Sequence, residues 1–237
     1  MSAPRKALIV RGGWPGHQPV EATERFIPFL EEHGFDVRVE ESTAVYADAD
    51  TMAETDLIVQ CITMGEIAQE EIAGLRAAVE AGTGFAGWHG GIVDSFRTSS
   101  DYLQLVGGIF ASHPAVGPDV PHAEGEEYFR HHTVSITELG RQHPITAGID
   151  DFDLHTEQYW VLSDDLSDVL ATTTHPSEPE QPWHRPHTSP AVWTRQWGSG
   201  RIAVSTPGHS VDVIDTPSVR TIIERGMLWA ARTGSES

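Results

Sequence analysis

The sequence has few basic residues, a single lysine and a single cysteine. Its 237 residues include 15 lysines and arginines against 35 aspartates and glutamates, and the formal net charge is −20. A chain with this charge repels phosphate backbones and anionic lipids, so we expect neither nucleic acid nor a membrane as a partner. The one cysteine, Cys61, lies in an apolar strand-like run. A single cysteine excludes an internal disulfide framework and a cage of thiolate metal ligands.

The sequence also lacks the apolar run of about 20 residues that a membrane-spanning helix requires. Its N-terminal residues lead into a short apolar segment and lack the longer apolar region of a secretory signal. These absences predict a cytoplasmic protein. The 39% of hydrophobic residues are enough for a sizeable core, and neither a linker nor an internal repeat divides the chain. We predict one domain over residues 1–237 and leave a homo-oligomer open.

Hydrophobic periodicity in the first third of the chain alternates between strands and helices. Residues 6–10 and 56–62 are continuous apolar runs, typical of strands buried on both faces of a parallel sheet. Residues 35–41 alternate in polarity, which favours a strand nearer an edge. The spacing predicts helices over residues 20–34 and 66–82, each ending at glycine. This order predicts an α/β fold with a doubly wound sheet, in which ligands bind at the carboxyl ends of the strands.

The middle of the chain has a different pattern. From Ser112 to about Pro190, strand-like runs alternate with proline-rich loops. This pattern predicts a β-rich insertion with a mobile loop over residues 175–190. A hairpin at residues 198–200 then returns the chain to the sheet. The last helix is predicted from about Thr216, with proline in its first turn.

The segment GFAGWHGG, residues 84–91, is the most informative local motif. A short apolar run closes on His89, with Gly87 and Gly91 two positions to either side. This is the spacing of a sharp strand-to-helix turn that carries a serine or cysteine nucleophile in many hydrolases. Here an imidazole stands at the centre, so covalent catalysis through this turn is not expected.

Three more histidines stand beside glycine or proline at predicted loop starts, namely His17, His113 and His209. A histidine in this position serves as a metal ligand, a general base or a donor to substrate. The alternative is that each of them caps a loop or packs on an aromatic ring.

The segment DLHTEQYW, residues 153–160, brings three further polar groups together. In a strand, His155, Glu157 and Tyr159 project to one face because side chains alternate with a period of two. An imidazole, a carboxylate and a phenol on one face bind a metal, hold sugar hydroxyls or share a proton. An exposed amphipathic strand without a function is the alternative.

Five segments together carry a family resemblance, namely residues 87–97, 102–114, 143–160, 190–202 and 207–209. The chain resembles the ThuA-like, or trehalose-utilisation, proteins of the class I glutamine amidotransferase-like superfamily. The resemblance covers nearly the whole chain. It implies a flavodoxin-like three-layer α/β sandwich, here with the β-rich insertion.

The resemblance also implies what has been lost from the amidotransferase site. His89 stands where an amidotransferase has its cysteine, and His209 stands at the position of its histidine base. Val211 replaces the glutamate that follows this base. Without the thiol and the acid, we expect no glutaminase activity. ThuA-like proteins are associated with the breakdown of trehalose and related disaccharides, beside dehydrogenases that form 3-keto sugars.

These observations lead to one functional hypothesis and one alternative. We expect a carbohydrate-active lyase or hydrolase, with a small-molecule carbohydrate as its partner. The predicted catalytic residues are His89, Glu157 and His209. The predicted substrate-binding residues are Trp88, His113, His155 and Tyr159. The predicted ligands of a divalent metal, zinc or manganese, are His17, His89, His113 and His209.

No nucleotide cofactor is expected, and whether a metal is bound stays open at this point. The alternative is a non-catalytic sugar-binding or regulatory protein on a decayed amidotransferase scaffold. An amidase that uses Cys61 is disfavoured, because no glycines flank this residue at the spacing of a nucleophile turn.

Overall fold

The computed structural model describes residues 4–115, 121–179 and 181–233. The strands in these ranges are β1 (Arg5–Gly13), β2 (Phe35–Glu40), β3 (Leu57–Thr63), β4 (Gly84–Trp88), β5 (Gly108–Ser112), β6 (Phe129–Ile136), β7 (Phe152–Glu157), β8 (Trp160–Ser163), β9 (Asp168–His175), β10 (His187–Trp197) and β11 (Gly200–Ser205). The α-helices are α1 (Pro19–Glu24), α2 (Ile27–Glu32), α3 (Ala49–Glu54), α4 (Gln69–Glu80), α5 (Gly90–Val93), α6 (Ser100–Val106), α7 (Glu138–Gln142), α8 (Val211–Ile214) and α9 (Pro217–Ala230).

A nine-stranded sheet with the order β2-β1-β3-β4-β11-β10-β9-β6-β7 organises the protein. The strands from β2 to β11 pair in parallel, and those from β11 to β7 pair antiparallel. The predicted α/β class is therefore confirmed. The β-rich middle segment extends the same sheet and adds the small antiparallel pair β5-β8. Residues 116–120 of this segment lie outside the described residues.

Each central strand contributes side chains to both faces of the sheet, because successive residues point in opposite directions. In β1, Ala7 and Ile9 belong to one core, and Leu8 and Val10 belong to the other. The first core packs against α1, α2 and α9, and the second packs against α3, α4, α5 and α6. Helices thus cover both faces of the parallel half, and its strand ends remain available to form a site.

The predicted helix over residues 20–34 is wrong as a single element. It is divided into α1 and α2. Pro28 explains the break, because proline lacks an N–H and its ring collides with the carbonyl four residues earlier. That carbonyl belongs to Glu24, the last residue of α1. Phe26 and Leu30 are buried as predicted, whereas His33 is exposed.

Other predicted elements are confirmed. Strand β2 lies at the edge of the sheet, and β10 and β11 form the predicted hairpin. Helix α4 begins at Gln69, inside the predicted range, and buries Ile72, Leu75 and Val79. Helix α9 begins at Pro217, as predicted from proline's fixed φ angle and missing N–H.

The loop predicted over residues 175–190 is shorter in the structure, because β9 reaches His175 and β10 begins at His187. The indole Nε1 of Trp183 donates a hydrogen bond to the carbonyl of Pro176 over 2.8 Å. The Arg130 guanidinium binds both carboxylate oxygens of Glu178, at 2.8 and 2.7 Å. Both contacts come from one guanidinium nitrogen, and this charge-assisted pair links Glu178 to β6.

None of the helices in the described ranges has the length and apolar character that a membrane crossing requires.

Candidate active site

Four polar side chains from distant parts of the chain meet at the carboxyl edge of the parallel strands. His17 lies in a short 3-10 turn after β1, His89 follows β4, and His209 follows β11. Glu157 is the last residue of β7. Each offers one ligand atom, and these atoms all lie within 4.8 Å of one another. We call these four residues the histidine–glutamate cluster.

His89 occupies the predicted turn between a strand and a helix. It separates β4 from α5, and its backbone angles are φ 49° and ψ −145°. This region is almost exclusive to glycine, so another residue there stores strain that surrounding contacts must hold. Its backbone N–H donates to the carbonyl of Ser205 over 2.7 Å. The following residue, Gly90, leaves room for the His17 ring, which a Cβ atom would approach to 2.5 Å.

The two ring nitrogens of His89 both face hydrogen-bond acceptors. Nδ1 lies 2.8 Å from the Thr206 carbonyl. A carbonyl only accepts, so Nδ1 carries the hydrogen and donates it. In a neutral imidazole, Nε2 then presents a lone pair to Glu157 Oε2, which lies 3.1 Å away. A cation, either a proton or a metal ion, is needed to make this contact favourable.

The other two imidazoles approach the same carboxylate. Nδ1 of His209 lies 3.2 Å from Glu157 Oε2. It is buried and finds no hydrogen-bond partner among the described residues. Nδ1 of His17 lies 2.8 Å from the Thr63 hydroxyl, which fixes the ring at the end of β3. The cluster therefore combines an oriented imidazole, an unsatisfied nitrogen and a carboxylate.

Burial and the mutual contacts set the protonation of the cluster. Burial, reinforced by the neighbouring His89 and His209, lowers the pKa of His17 to about 2. Burial also lowers the pKa of His89. Burial raises the pKa of Glu157, but His209 and His89 outweigh this effect and hold that pKa well below its usual value. At neutral pH, His17 and His89 are thus neutral beside a carboxylate, the protonation state in which these groups bind metals.

His113 lies across Glu157 from the three clustered imidazoles. Its Nε2 is 3.7 Å from Glu157 Oε1, while Oε2 faces His89 and His209. The His113 ring packs between Phe110 and Tyr128, at centroid distances of 5.0 and 4.3 Å. The two oxygens of one carboxylate therefore face different groups of histidines.

Other predicted site residues lie outside this cluster. Trp88 is 1% exposed and packs on Phe26 in the core, so it has no surface to offer a ligand. His155 is exposed and stacks on His131 at 4.2 Å. Tyr159 is buried and stacks on the back of the His89 ring at 4.1 Å. It does not continue the strand of Glu157, because the chain leaves β7 there to enter β8 in the other sheet.

His175 contacts the backbone of Tyr159, the residue that stacks on His89, and no sequence pattern indicated this role. Its Nε2 donates to the Tyr159 carbonyl over 3.2 Å, and its Nδ1 has no hydrogen-bond partner in the described chain. His187 stacks on Trp160 at 3.9 Å, close to this histidine. The antiparallel pairing of β9 with β10 places His175 opposite His187, and a local sequence pattern does not reveal that pairing.

We expect His175 to make the folded state sensitive to acid. Burial lowers its pKa from 6.5 to about 4, although the bond to Tyr159 opposes this shift. The unfolded chain therefore takes up a proton near pH 6.5, and the folded chain takes it up only near pH 4. Stability should fall as pH drops through this window, by about 1–3 kcal/mol from this residue. In urea unfolding at pH 7 and pH 4.5, His175→Gln should lose less stability than the wild type, and an equal loss would contradict this assignment.

Comparison with known proteins identifies the family. The sequence profile described as trehalose utilisation, ThuA, matches residues 6–230. The chain belongs to the ThuA family. A ThuA-like protein from Bacteroides uniformis is similar in structure, with a TM-score of 0.70, 17% identity and coverage of 97% of this chain and 93% of that one. A ThuA-like protein from Parabacteroides merdae gives a TM-score of 0.71 at 18% identity, over 96% and 90% of the two chains.

A protein of Salmonella typhimurium LT2 named as cytoplasmic also shares the fold of this ThuA family member. Its TM-score is 0.62 at 13% identity, and the likeness covers 96% of this chain and all, 100%, of the other. No curated protein matches the chain. At such identities these structures establish the fold shared with the ThuA family, and the chemistry has to be argued from the site.

We expect this ThuA family member to release no ammonia from glutamine. The centre of the turn is an imidazole, and Cys61 is 2% exposed with a pKa that burial raises to about 12. A buried thiol with a raised pKa provides little thiolate for attack. The measurement is ammonia release from glutamine by the wild type and by Cys61→Ala. Activity that disappears in the variant would refute this expectation.

Proposed function

We propose that this ThuA family member is an enzyme that acts on a neutral carbohydrate and binds a divalent metal ion at the histidine–glutamate cluster. The observation that carries the proposal is the contact between His89 Nε2 and Glu157 Oε2, which needs a cation between two acceptors. The ligands would be one nitrogen each from His17, His89 and His209 and one oxygen from Glu157.

The distances within the cluster are close to those between ligands of one ion. Ligands held 2.0–2.2 Å from a tetrahedral ion lie roughly 3.3–3.6 Å apart. Two of the separations from Glu157 Oε2 are 3.1 and 3.2 Å. The ligand atoms that lie up to 4.8 Å apart would have to close by about 1 Å on binding. Three imidazoles and one carboxylate suit zinc, and manganese is the second candidate.

The hydrogen-bond partners of two imidazoles in the cluster support the same proposal. Metal-bound histidines usually donate their other N–H to a carbonyl, a carboxylate or water, which fixes the tautomer. His89 has such a partner in the Thr206 carbonyl, and His17 has the Thr63 hydroxyl. Because the chain carries a net charge of −20, a neutral substrate approaches more easily than an anion.

A 3-keto glycoside is the substrate that best uses this arrangement. Its C3 ketone acidifies the C2–H bond, so a base can remove that proton. The electron pair then forms the C1–C2 double bond as the glycosidic C1–O bond breaks, and the leaving oxygen takes up a proton. A bound divalent ion would polarise the ketone by taking its oxygen as an additional ligand beyond the four from the protein.

We infer that His113 moves the proton in this reaction. Its Nε2 faces Glu157 Oε1, and its Nδ1 is without a hydrogen-bond partner among the described residues. His89 is less suited to this role, because both of its nitrogens are engaged by Thr206 and Glu157. Glu157, whose pKa is held low, is a better ligand than base.

We also propose that the sheet is flavodoxin-like and that the chain forms a single domain. The parallel strands have the order 2-1-3-4-5 when counted among themselves, which supports a flavodoxin-like sheet. The antiparallel strands continue that sheet, which supports a single domain. We propose a small-molecule carbohydrate in the cytoplasm as the partner, with neither nucleic acid nor membrane, on the strength of the acidic charge.

Metal analysis and a turnover assay test the proposed function together. Protein purified without chelators should hold about one zinc or manganese ion per chain. Mass spectrometry should show cleavage of 3-keto-trehalose, and His89→Ala should lose both metal and turnover while His155→Ala keeps both. Binding of the sugar without conversion would favour the non-catalytic alternative. Absence of both metal and sugar binding would refute the proposal.

A further inference from the structure

Three large apolar side chains are exposed at the edge of the sheet that carries the histidine–glutamate cluster. Trp14, Met64 and Tyr128 are 44%, 44% and 42% exposed. Trp14 directly follows β1, and Met64 directly follows β3. Tyr128 directly precedes β6, whose first residue pairs with Glu157. Exposed aromatic rings next to buried polar groups are typical of ligand sites.

Trp14 is held firmly although its ring is accessible. Its backbone N–H donates to the Thr63 carbonyl over 3.1 Å. Its ring packs edge-on to the His17 ring at 4.7 Å and lies against Gly16, where a Cβ atom would come within 2.3 Å of the indole. A side chain that is already ordered loses little conformational entropy when a ligand packs on it.

Tyr128 stands at the other side of Glu157. Its ring packs on His113 at 4.3 Å, and His113 Nε2 lies 3.7 Å from Glu157 Oε1. The Trp14 ring packs on His17, and His17 belongs to the same cluster as Glu157. Glu157 therefore lies between two histidines, each of which is backed by an exposed aromatic ring.

From this arrangement we infer that Trp14 and Tyr128 are the two walls of a subsite for a pyranose ring. The inference rests on the proposed function and specifies how the substrate is recognised. The apolar C–H faces of the sugar would pack on the aromatic rings, and its hydroxyls would point to His113 and the cluster. An uncharged pyranose suits this subsite because its C–H groups form a continuous apolar face, which an acyclic polyol lacks, and because an anion is repelled by the acidic chain.

Calorimetric titration of the zinc-loaded protein tests the two walls. The probes are trehalose, 3-keto-trehalose and, as an acyclic control, mannitol. Trp14→Ala and Tyr128→Ala should each weaken binding of the two disaccharides about tenfold, whereas Trp14→Phe should stay within about threefold of the wild type. Zinc affinity should not change in Tyr128→Ala, and in Trp14→Ala, where the His17 ring loses one contact, it should fall less than the affinity for the disaccharides. Mannitol binding should not change in either variant. Leu166→Ala, at another exposed apolar residue, should bind like the wild type.

The outcomes separate this inference from the proposed function. If the wild type binds the disaccharides and both alanine variants bind them equally well, the walls are wrong and the proposed function stands. If the alanine variants also lose zinc, the rings only support the cluster and the inference is overturned. If the wild type binds neither disaccharide, the proposed function fails and the inference fails with it. Thermal melts establish that each variant is folded, and Trp14→Phe keeps the test available if an alanine variant is not.

Discussion

Zinc affinity should fall more than about 100-fold when Glu157 is replaced by glutamine. Loss of an outer partner of a metal ligand already costs 10–100-fold in affinity, and Glu157 would be a ligand itself. In the metal-free protein, the glutamine amide can donate to the lone pair of His89 Nε2, which now faces a carboxylate oxygen at 3.1 Å. This contact offsets part of the stability that is lost with the carboxylate, whose low pKa indicates that the folded state stabilises it.

The measurement combines zinc titration with thermal melts in the presence of a chelator. Glu178→Gln is the matched control, because this carboxylate pairs with Arg130 outside the cluster. It should leave zinc affinity unchanged and lower the melting temperature slightly. Unchanged zinc affinity in Glu157→Gln would remove Glu157 from the ligand set.

A methyl group at Gly90 should disrupt the site by displacing the His17 ring. In Gly90→Ala, the new Cβ would lie 2.5 Å from Cε1 of His17, whose ring is confined by Trp14 and Thr63. We expect a loss of about 1–3 kcal/mol in stability from overpacking and a fall of about 10–100-fold in zinc affinity.

Gly226→Ala in α9 is the control for this substitution. Its Cβ would meet nothing closer than 3.4 Å, and alanine favours the helix. This variant should keep its zinc affinity and be as stable as the wild type or more so. If Gly90→Ala binds zinc like the wild type, the position of the His17 ring does not matter to the site.

Local signals in the sequence were sufficient for the parts of the site that depend on adjacent residues. The glycines around His89 predicted its turn, because only small residues allow a strand to enter a helix so abruptly. The continuous apolar runs of β1 and β3 predicted central parallel strands, and thereby the edge at which His17, His89 and His209 meet.

Features that depend on the neighbouring chain could not be predicted. Glu157 and Tyr159 alternate like residues of one strand, but the chain changes sheets between them. The indole ring of a tryptophan can pack on a sugar, but Trp88 lies on the side of β4 that faces the core. The exposure of Trp14 and Tyr128 depends on the turns at which they lie, and those turns have no periodic pattern.

The order of strands also determines when the site can exist during folding. Strand β11 pairs with β4 although more than a hundred residues separate them, and it brings His209 beside His89. Such long-range pairing forms slowly, because a large loop must close before any contact rewards it. During synthesis, the first three quarters of the chain would already contain His17, His89 and Glu157 but lack the fourth member of the cluster. Metal capture is therefore expected to come late, as a step that locks the completed sheet.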